Sequence, residues 1–243
     1  MSSKYSVVTV CKNSEATIRQ TIESVIYQTF DNWEYIIIDG ASKDATIDII
    51  KEYIEEFPEK IKFVSEPDSG IYDAMNKGIR MATGDFVAVL NSDDYYERNA
   101  LREIENNVST REKTVYYAMQ RTIKNSAEES CSILSHKFLP DRMIWHEACF
   151  VSKDIYDELG VYNTEYKASA DYDFFLKLFF DKNISFYPVY AITTNFRTGG
   201  FSSTYVGAVE ENRVKKKYGL ISNKEYMAKC IFNKGKHSVG ILK

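Results

Sequence analysis

With 243 residues, 44% apolar and 14% aromatic, the chain is long enough for one large α/β domain or two small ones around a real core. Its formal net charge of −4 argues against a general nucleic-acid binder, because phosphate contacts need clustered Lys and Arg. Cysteines at 11, 131, 149 and 230 form no C-x-x-C pair, so they suggest neither a zinc site nor a disulfide framework and read as reduced, buried thiols. MSSKYSVVTV runs straight into a strand pattern and no apolar run approaches the length of a membrane span, which predicts a cytoplasmic protein.

Tyr5 to Cys11 reads as a first strand. Asn13 or Ser14 then caps a helix carrying Ile18, Ile22, Val25 and Ile26. Trp33 to Ile38 is the next strand, and it ends in the turn from Asp39 to Asp44. A helix with Ile47, Ile50, Ile54 and Phe57 follows, closed by Pro58, and Ile61 to Val64 is the third strand. Asp68 or Ser69 caps a third helix with Ile71, Met75 and Ile79 at helical spacing, and Gly84 ends it in a left-handed conformation. Phe86 to Leu90 is unbroken apolar sequence, as expected of a strand covered on both faces. The alternation predicts a Rossmann-like, mostly parallel sheet with flanking helices. No G-x-G-x-x-G follows the first strand and no P-loop is present, so a nicotinamide, flavin or P-loop enzyme is not expected.

Asn91, Ser92, Asp93 and Asp94 fall at the carboxyl end of that fourth strand, where open α/β sheets place their ligands. Adjacent carboxylates there suit a hard divalent cation such as Mg²⁺ or Mn²⁺, although the same residues also make ordinary turns and caps. Beyond them the pattern changes. A short helix near Ala100 to Asn106 precedes a strand from Thr114 to Gln120, and Arg121 to Ser130 reads as a polar turn. Glu147 to Val151 is a strand, Lys153 to Leu159 a helix stopped by Gly160, and Ser169 opens a helix with Phe174, Phe175, Leu178 and Phe179 on its buried side. Ile184 to Phe196 is extended, with Pro188 indicating an edge or a bulge. Arg197 to Gly200 is a flexible loop. From Arg213 onward nine Lys or Arg face one acidic residue, Glu225, in a basic helical tail.

Three acidic positions, Asp39, the Asp93 and Asp94 pair, and Asp171, end strands or open helices. They supply candidates for holding a nucleoside, holding a metal against a diphosphate, and accepting a proton. His146 and Arg197 could contact an acceptor or the diphosphate, Arg being suited to bidentate phosphate binding. For Asp171 a helix cap, and for His146 a satisfied structural histidine, are the plain alternatives.

The stretches VVTVCKNSEATIRQTIESVIYQTFDNWEYIIIDGASKDAT, SEPDSGIYDAMNKGIRMATGDFVAVLNSDD and ASADYDFFLKL closely resemble glycosyltransferase family 2, in order over roughly the first two hundred residues. The likeness is to bacterial enzymes that build O-antigen, capsule or exopolysaccharide. It implies an inverting enzyme of GT-A fold, with a mixed sheet in its acceptor-side half. The corresponding division is 1–205 for the catalytic domain, 1–98 binding nucleotide sugar and 99–205 facing the acceptor, with 206–243 as the tail.

By position, the resemblance implies that Thr9, Asn13 and Asp39 line the nucleotide pocket and that Lys77 and Arg80 face the donor. Asn91, Ser92 and Asp93 stand where the family has its DXD motif, with Asp93 as metal ligand, Asp94 contributing, and Asn91 in place of the first acid. Asp171 stands where the family has its catalytic base, with Ala170 replacing the preceding Glu. The implied cofactor is Mn²⁺ or Mg²⁺. The implied partners are a nucleotide-diphosphate sugar, a UDP-sugar first among them, and a saccharide or lipid-linked saccharide acceptor. Lys215, Lys216, Lys217, Lys234 and Lys236 around Ile231 and Phe232 resemble a segment peripheral to an anionic membrane surface. Two rivals remain. A sugar nucleotidyltransferase would carry a Gly-rich basic loop where this chain has CKNSEAT, and a noncatalytic nucleotide or sugar binding module is kept open by Asn91 and Ala170.

Overall fold

The computed structural model describes residues 2–198 and 204–238, with the side chains of 235–238 excepted. The expected loop at Gly199 and Gly200 and the Lys236 side chain lie outside the described residues. Strands β1 (Tyr5–Cys11), β2 (Trp33–Asp39), β3 (Ile61–Ser65) and β4 (Phe86–Asn91) are linked by helices α1 (Ile18–Ile26), α2 (Thr46–Glu56) and α3 (Ile71–Met81). They pair in parallel in the order β3-β2-β1-β4.

The second half adds β5 (Tyr95–Tyr96), α4 (Ala100–Glu105), β6 (Thr114–Lys124), β7 (Ala127–Ser132), β8 (Cys149–Ser152), α5 (Lys153–Leu159), α6 (Ala170–Phe180) and β9 (Ser185–Arg197). β8 continues the sheet antiparallel to β4, β6 is antiparallel to β8, β9 runs parallel to β6, and β5 closes the row against β9. Two helices, α7 (Tyr205–Lys217) and α8 (Asn223–Ser238), end the described chain.

The central strands β1, β2 and β4 are buried on both faces, and the alternation inside β4 shows how. Val87 and Val89 join Val8, Ile36, Met75 and Ile79 in one apolar cluster, while Phe86, Ala88 and Leu90 join Tyr5, Ile18, Ile22 and Tyr35 in the other. Strands covered on both sides need no polar alternation, which is why these read as continuous apolar runs.

Several local expectations are corrected. Helix α1 starts at Ile18 rather than after Asn13 or Ser14, because residues 14–17 form a turn whose Ser14 carbonyl accepts from the Thr17 and Ile18 amides. Ile71 is 42% exposed, and Tyr72 is the buried residue of that turn. Gly84 does not adopt a left-handed conformation, since α3 ends at Met81 with Ala82 at its cap position and Gly84 has no positive φ. It serves close approach, because a Cβ there would lie 2.7 Å from the Lys4 carbonyl and 2.8 Å from Ser6 Oγ. The polar stretch after Gln120 is a hairpin: β6 runs on to Lys124, and the tight turn is Asn125 and Ser126, both at positive φ. Glu147 precedes its strand in a 3₁₀ turn, His146–Ala148. Pro188 sits opposite Tyr117 just before a bulge in the β6 pairing, in a stretch of β9 whose other side is not paired with β5.

Glu34 ties the amino ends of these strands together. It accepts from Ser6 Oγ and the Thr83 amide and pairs with Lys62 at 2.9 Å and Lys4 at 3.2 Å. Burial alone would raise its pKa, but the hydrogen bonds from Ser6, Lys62 and Thr83 outweigh it and bring it from 4.5 to about 2. A depressed carboxylate contributes stability above its ordinary value and loses it as pH falls toward the folded value. Glu34→Gln is therefore expected to cost about 2 kcal/mol at neutral pH. It should also flatten the loss of stability between pH 4.5 and 2. Urea titrations of both proteins across that range check it.

The basic tail is less free than its sequence suggests. Lys217 Nζ pairs with Asp173 on α6 at 2.6 Å, Lys215 is buried beside Glu211, and Lys216 lies over the Tyr226 ring. Of the three consecutive lysines Lys215 is buried, while Lys216 and Lys217 remain at the surface. Exposed Met227, Ile231 and Phe232 lie on α8. No helix among the described residues is long and apolar enough to cross a membrane.

Candidate active site

The strand order turns back on itself between β1 and β4, and ligands of open α/β sheets bind outside the carboxyl ends at such a point. A cavity of about 670 Å³ lies there. Its floor comes from the ends of β1 and β4, with Cys11, Lys12, Asn13, Asn91, Ser92 and Asp93 on its lining. Asp68 and Tyr72, around the start of α3, line a further part. A second cavity of about 190 Å³ adjoins it, and His146, Glu147, Ala168, Asp171 and Phe196 line both.

Hydrogen bonds fix this floor. Asn13 is held at positive φ, its Oδ1 accepts from the Lys43 amide at 2.8 Å, and its own amide donates to Ser42 Oγ. Ser14 Oγ and Ser92 Oγ are 2.9 Å apart, linking the β1 and β4 ends. Asn91 Nδ2 donates to Glu147 Oε1 at 3.1 Å, while Asn91 Oδ1 is buried without a partner.

Asp171 lies in the first turn of α6, past Ser169, which is the residue at the cap position. The cap reading is thereby corrected. Tyr72 donates its hydroxyl to Asp171 Oδ1 at 2.7 Å, and Asp171 Oδ2 lies 3.6 Å from His146 Nδ1. The same imidazole nitrogen is 3.3 Å from Glu147 Oε2. Glu147 is 5% exposed, and burial pushes its carboxyl up, with His146 opposing the shift and Asp171 and Asp93 adding to it.

Other predicted residues lie elsewhere. Thr9 is fully buried on the opposite face of β1, where its Oγ1 accepts from Tyr35. It does not line the cavity, because the period of two turns it away while Val10 faces it. Asp39 is also fully buried, and its carboxylate is occupied by the Ser42 amide and hydroxyl and by Ser65 Oγ at 2.7 Å. It shapes the loop beneath the cavity, and Asp68 is the carboxylate that reaches the lining.

Lys77 is paired with Glu66 at 2.8 Å and with Asp73, and Arg80 is exposed at the far end of α3, so neither faces the donor pocket. Asp94 is folded inward and fully buried. Its Oδ1 accepts from the Arg197 amide, its Oδ2 has no partner, and burial followed by the charges of Glu147 and Asp93 raises its pKa strongly. It does not line the cavity as a metal ligand would. Arg197 donates instead to the Asp93 carbonyl and to Gln20 Oε1, with its guanidinium 4.8 Å from the Tyr95 ring. It braces the turn that carries Asp93 rather than facing the diphosphate.

The Glycosyl transferase family 2 model matches residues 6–158. The chain belongs to glycosyltransferase family 2. Among relatives of this glycosyltransferase is the PGL/p-HBAD biosynthesis glycosyltransferase of Mycobacterium bovis, 28% identical over 206 residues that cover 83% of this chain and 80% of the relative. TarS from S. aureus in complex with UDP-GlcNAc superposes with a TM-score of 0.73 at 17% identity, over 98% of this chain and 73% of that one. The mannosyltransferase PcManGT from Pyrobaculum calidifontis, in complex with GDP-Man and Mn²⁺, superposes with a TM-score of 0.68 at 15% identity, over 97% of this chain and 70% of that one. At these identities the two structures speak to fold alone, and the fold is GT-A. Membership of the family sets aside the nucleotidyltransferase.

A divalent cation is compatible with this donor set. Asp93 and the unpartnered Asn91 Oδ1 are hard oxygen donors at one strand end, and Mg²⁺ or Mn²⁺ commonly takes one or two protein oxygens with substrate phosphates completing its shell. No group of three or more His, Cys, Asp or Glu ligands exists among the described residues, so the substrate would have to supply much of the coordination.

Proposed function

We propose that this glycosyltransferase moves a sugar from a nucleotide diphosphate, a UDP-sugar first among candidates, to a hydroxyl of a saccharide or lipid-linked saccharide, with inversion at the anomeric carbon. The observation that carries the reading is the position of Asp171 on the lining shared by the two cavities. A donor in the larger cavity and an acceptor in the smaller one would meet at that carboxylate.

Lys12, Asn13 and Asp68 would hold the nucleoside side of the donor, and Asp93 with Asn91 the metal and diphosphate. The metal, when bound, neutralises charge developing on the departing diphosphate. Asp171 accepts the acceptor hydroxyl's proton as that oxygen bonds to the anomeric carbon and the bond from this carbon to the diphosphate oxygen breaks. Tyr72 fixes the other carboxylate oxygen, and the His146 imidazole lies between the Asp171 and Glu147 carboxyls.

The nucleotide sugars bound by the two structural neighbours support this choice of donor class, and the PGL/p-HBAD biosynthesis in the mycobacterial relative's name fits a biosynthetic transfer. The test is release of nucleoside diphosphate from UDP- and GDP-sugars with octyl glycosides as acceptors, and the anomeric configuration of the product by NMR. Acceptor-dependent release with an inverted product is expected. A retained configuration, or no release with any pair, would overturn the reading.

A further inference from the structure

We propose that the smaller cavity is a seat for a single uncharged sugar ring of the acceptor, with its hydroxyls read by Gln120 and Trp145. The proposal deepens the transfer reading above and rests on it. At about 190 Å³ the cavity is below the usual size of sites for drug-sized ligands, and it suits one ring rather than an extended chain.

Its walls combine two kinds of surface. Trp145, Tyr172 and Phe196 bring aromatic rings, and the Tyr172 hydroxyl is already committed to the Leu139 carbonyl at 2.8 Å, so that residue offers mainly its ring. Gln120 is 2% exposed, yet its Oε1 has no hydrogen-bond partner, and Trp145 Nε1 is likewise buried and unpartnered. Each orphan leaves a desolvation cost unmet until a partner is supplied.

One needs a donor and the other an acceptor, and a sugar hydroxyl is both. An acyl chain would satisfy neither. A phosphate would bring its negative charge in beside the carboxyls of Glu147, Asp171 and Glu211. A neutral polyol ring with an apolar C–H face is the class that meets all of these surfaces.

Ser169, Tyr172, Phe196, Gly207 and Glu211 lie beyond the 6–158 segment that the family model matches. Gly207 and Glu211 come from α7, so the helix that opens the basic tail helps to wall this seat. Part of the seat's wall therefore comes from beyond the matched segment, while Gln120 and Trp145 lie within it.

Saturation-transfer NMR on the full chain, with UDP or GDP present, tests this against methyl glycosides of glucose, galactose, mannose, rhamnose and N-acetylglucosamine, with n-octanol and inorganic phosphate as comparators. At least one glycoside is expected to receive saturation. Gln120→Met and Trp145→Phe, which keep volume or ring while removing the polar atom, should each weaken it on the order of tenfold, the size of one neutral hydrogen bond. The nucleotide signal reports that each variant is folded. Glycosides that stay silent while nucleotide binds, unchanged affinity in both variants, or displacement by phosphate would each overturn the seat. A parent that binds no nucleotide either would instead bring down the transfer reading beneath it.

Discussion

Asp171→Asn is expected to bind nucleotide sugar as the parent does and to transfer it about a thousandfold more slowly, the scale of losing a positioned general base. The substitution keeps shape and most contacts. Asparagine Oδ1 can still accept from Tyr72, and the cap position of α6 belongs to Ser169, so the helix has no reason to fray. What disappears is the lone pair that takes a proton, along with one negative charge beside His146 and Glu147.

Tyr72→Phe separates positioning from chemistry, because it removes the hydrogen bond and leaves the carboxylate. It should slow transfer by about tenfold, in keeping with one hydrogen bond to a charged group. Initial rates at saturating donor, beside thermal shifts with the same donor, distinguish these cases. Near-parental turnover in Asp171→Asn would place the base elsewhere.

The first half of the fold was legible because its physics is local. Each of β1 to β3 is a short strand followed by a helix of regular period, β4 is a further apolar run, and two-sided burial of β1, β2 and β4 leaves little for long-range context to decide. The second half was harder, because antiparallel partners are chosen by contacts across the sheet.

Glu147 is an example. Phe86 pairs with Ser152 and Val87 with Val151, a register that continues to place Asn91 beside Glu147. Nothing local announces that β8 runs against β4, so a site residue passed as the start of a strand. Tyr72 and Asp171 are 99 positions apart in the chain, and only the folded molecule joins them.

Asp39 stands at its strand end as expected, and there Ser42, three residues on, and Ser65, at the end of the adjacent strand, take up its carboxylate. Thr9 was open to correction from the sequence itself, because Val8 and Val10 set the face that leads to the cavity and Thr9 falls between them. Arg197 ends β9, and only the pairing of β9 with β5 shows that it reaches the Asp93 backbone.

Asp93→Ala is expected to abolish the metal-dependent part of donor binding. In the parent, a nucleotide sugar at about a hundred times its dissociation constant should add roughly 2.7 kcal/mol of stability, visible as a thermal shift. With Mn²⁺ as the probe, that shift should require metal in the parent and be absent in the variant, with transfer reduced at least about a hundredfold, the scale of losing charge stabilisation at a departing group.

Asp94 cannot substitute. It is sealed in the interior, its Oδ1 accepts from the Arg197 amide, and it does not reach the cavity lining. Asp94→Asn should consequently keep the metal-dependent shift that Asp93→Ala loses. Asn91 sharpens the test, since an amide oxygen contributes a dipole where a second carboxylate would contribute charge, so under the proposed reading the anionic contribution falls to Asp93. If Asp93→Ala retains a Mn²⁺-dependent shift while Asp94→Asn loses it, the inward carboxylate must turn outward on binding and the assignment reverses.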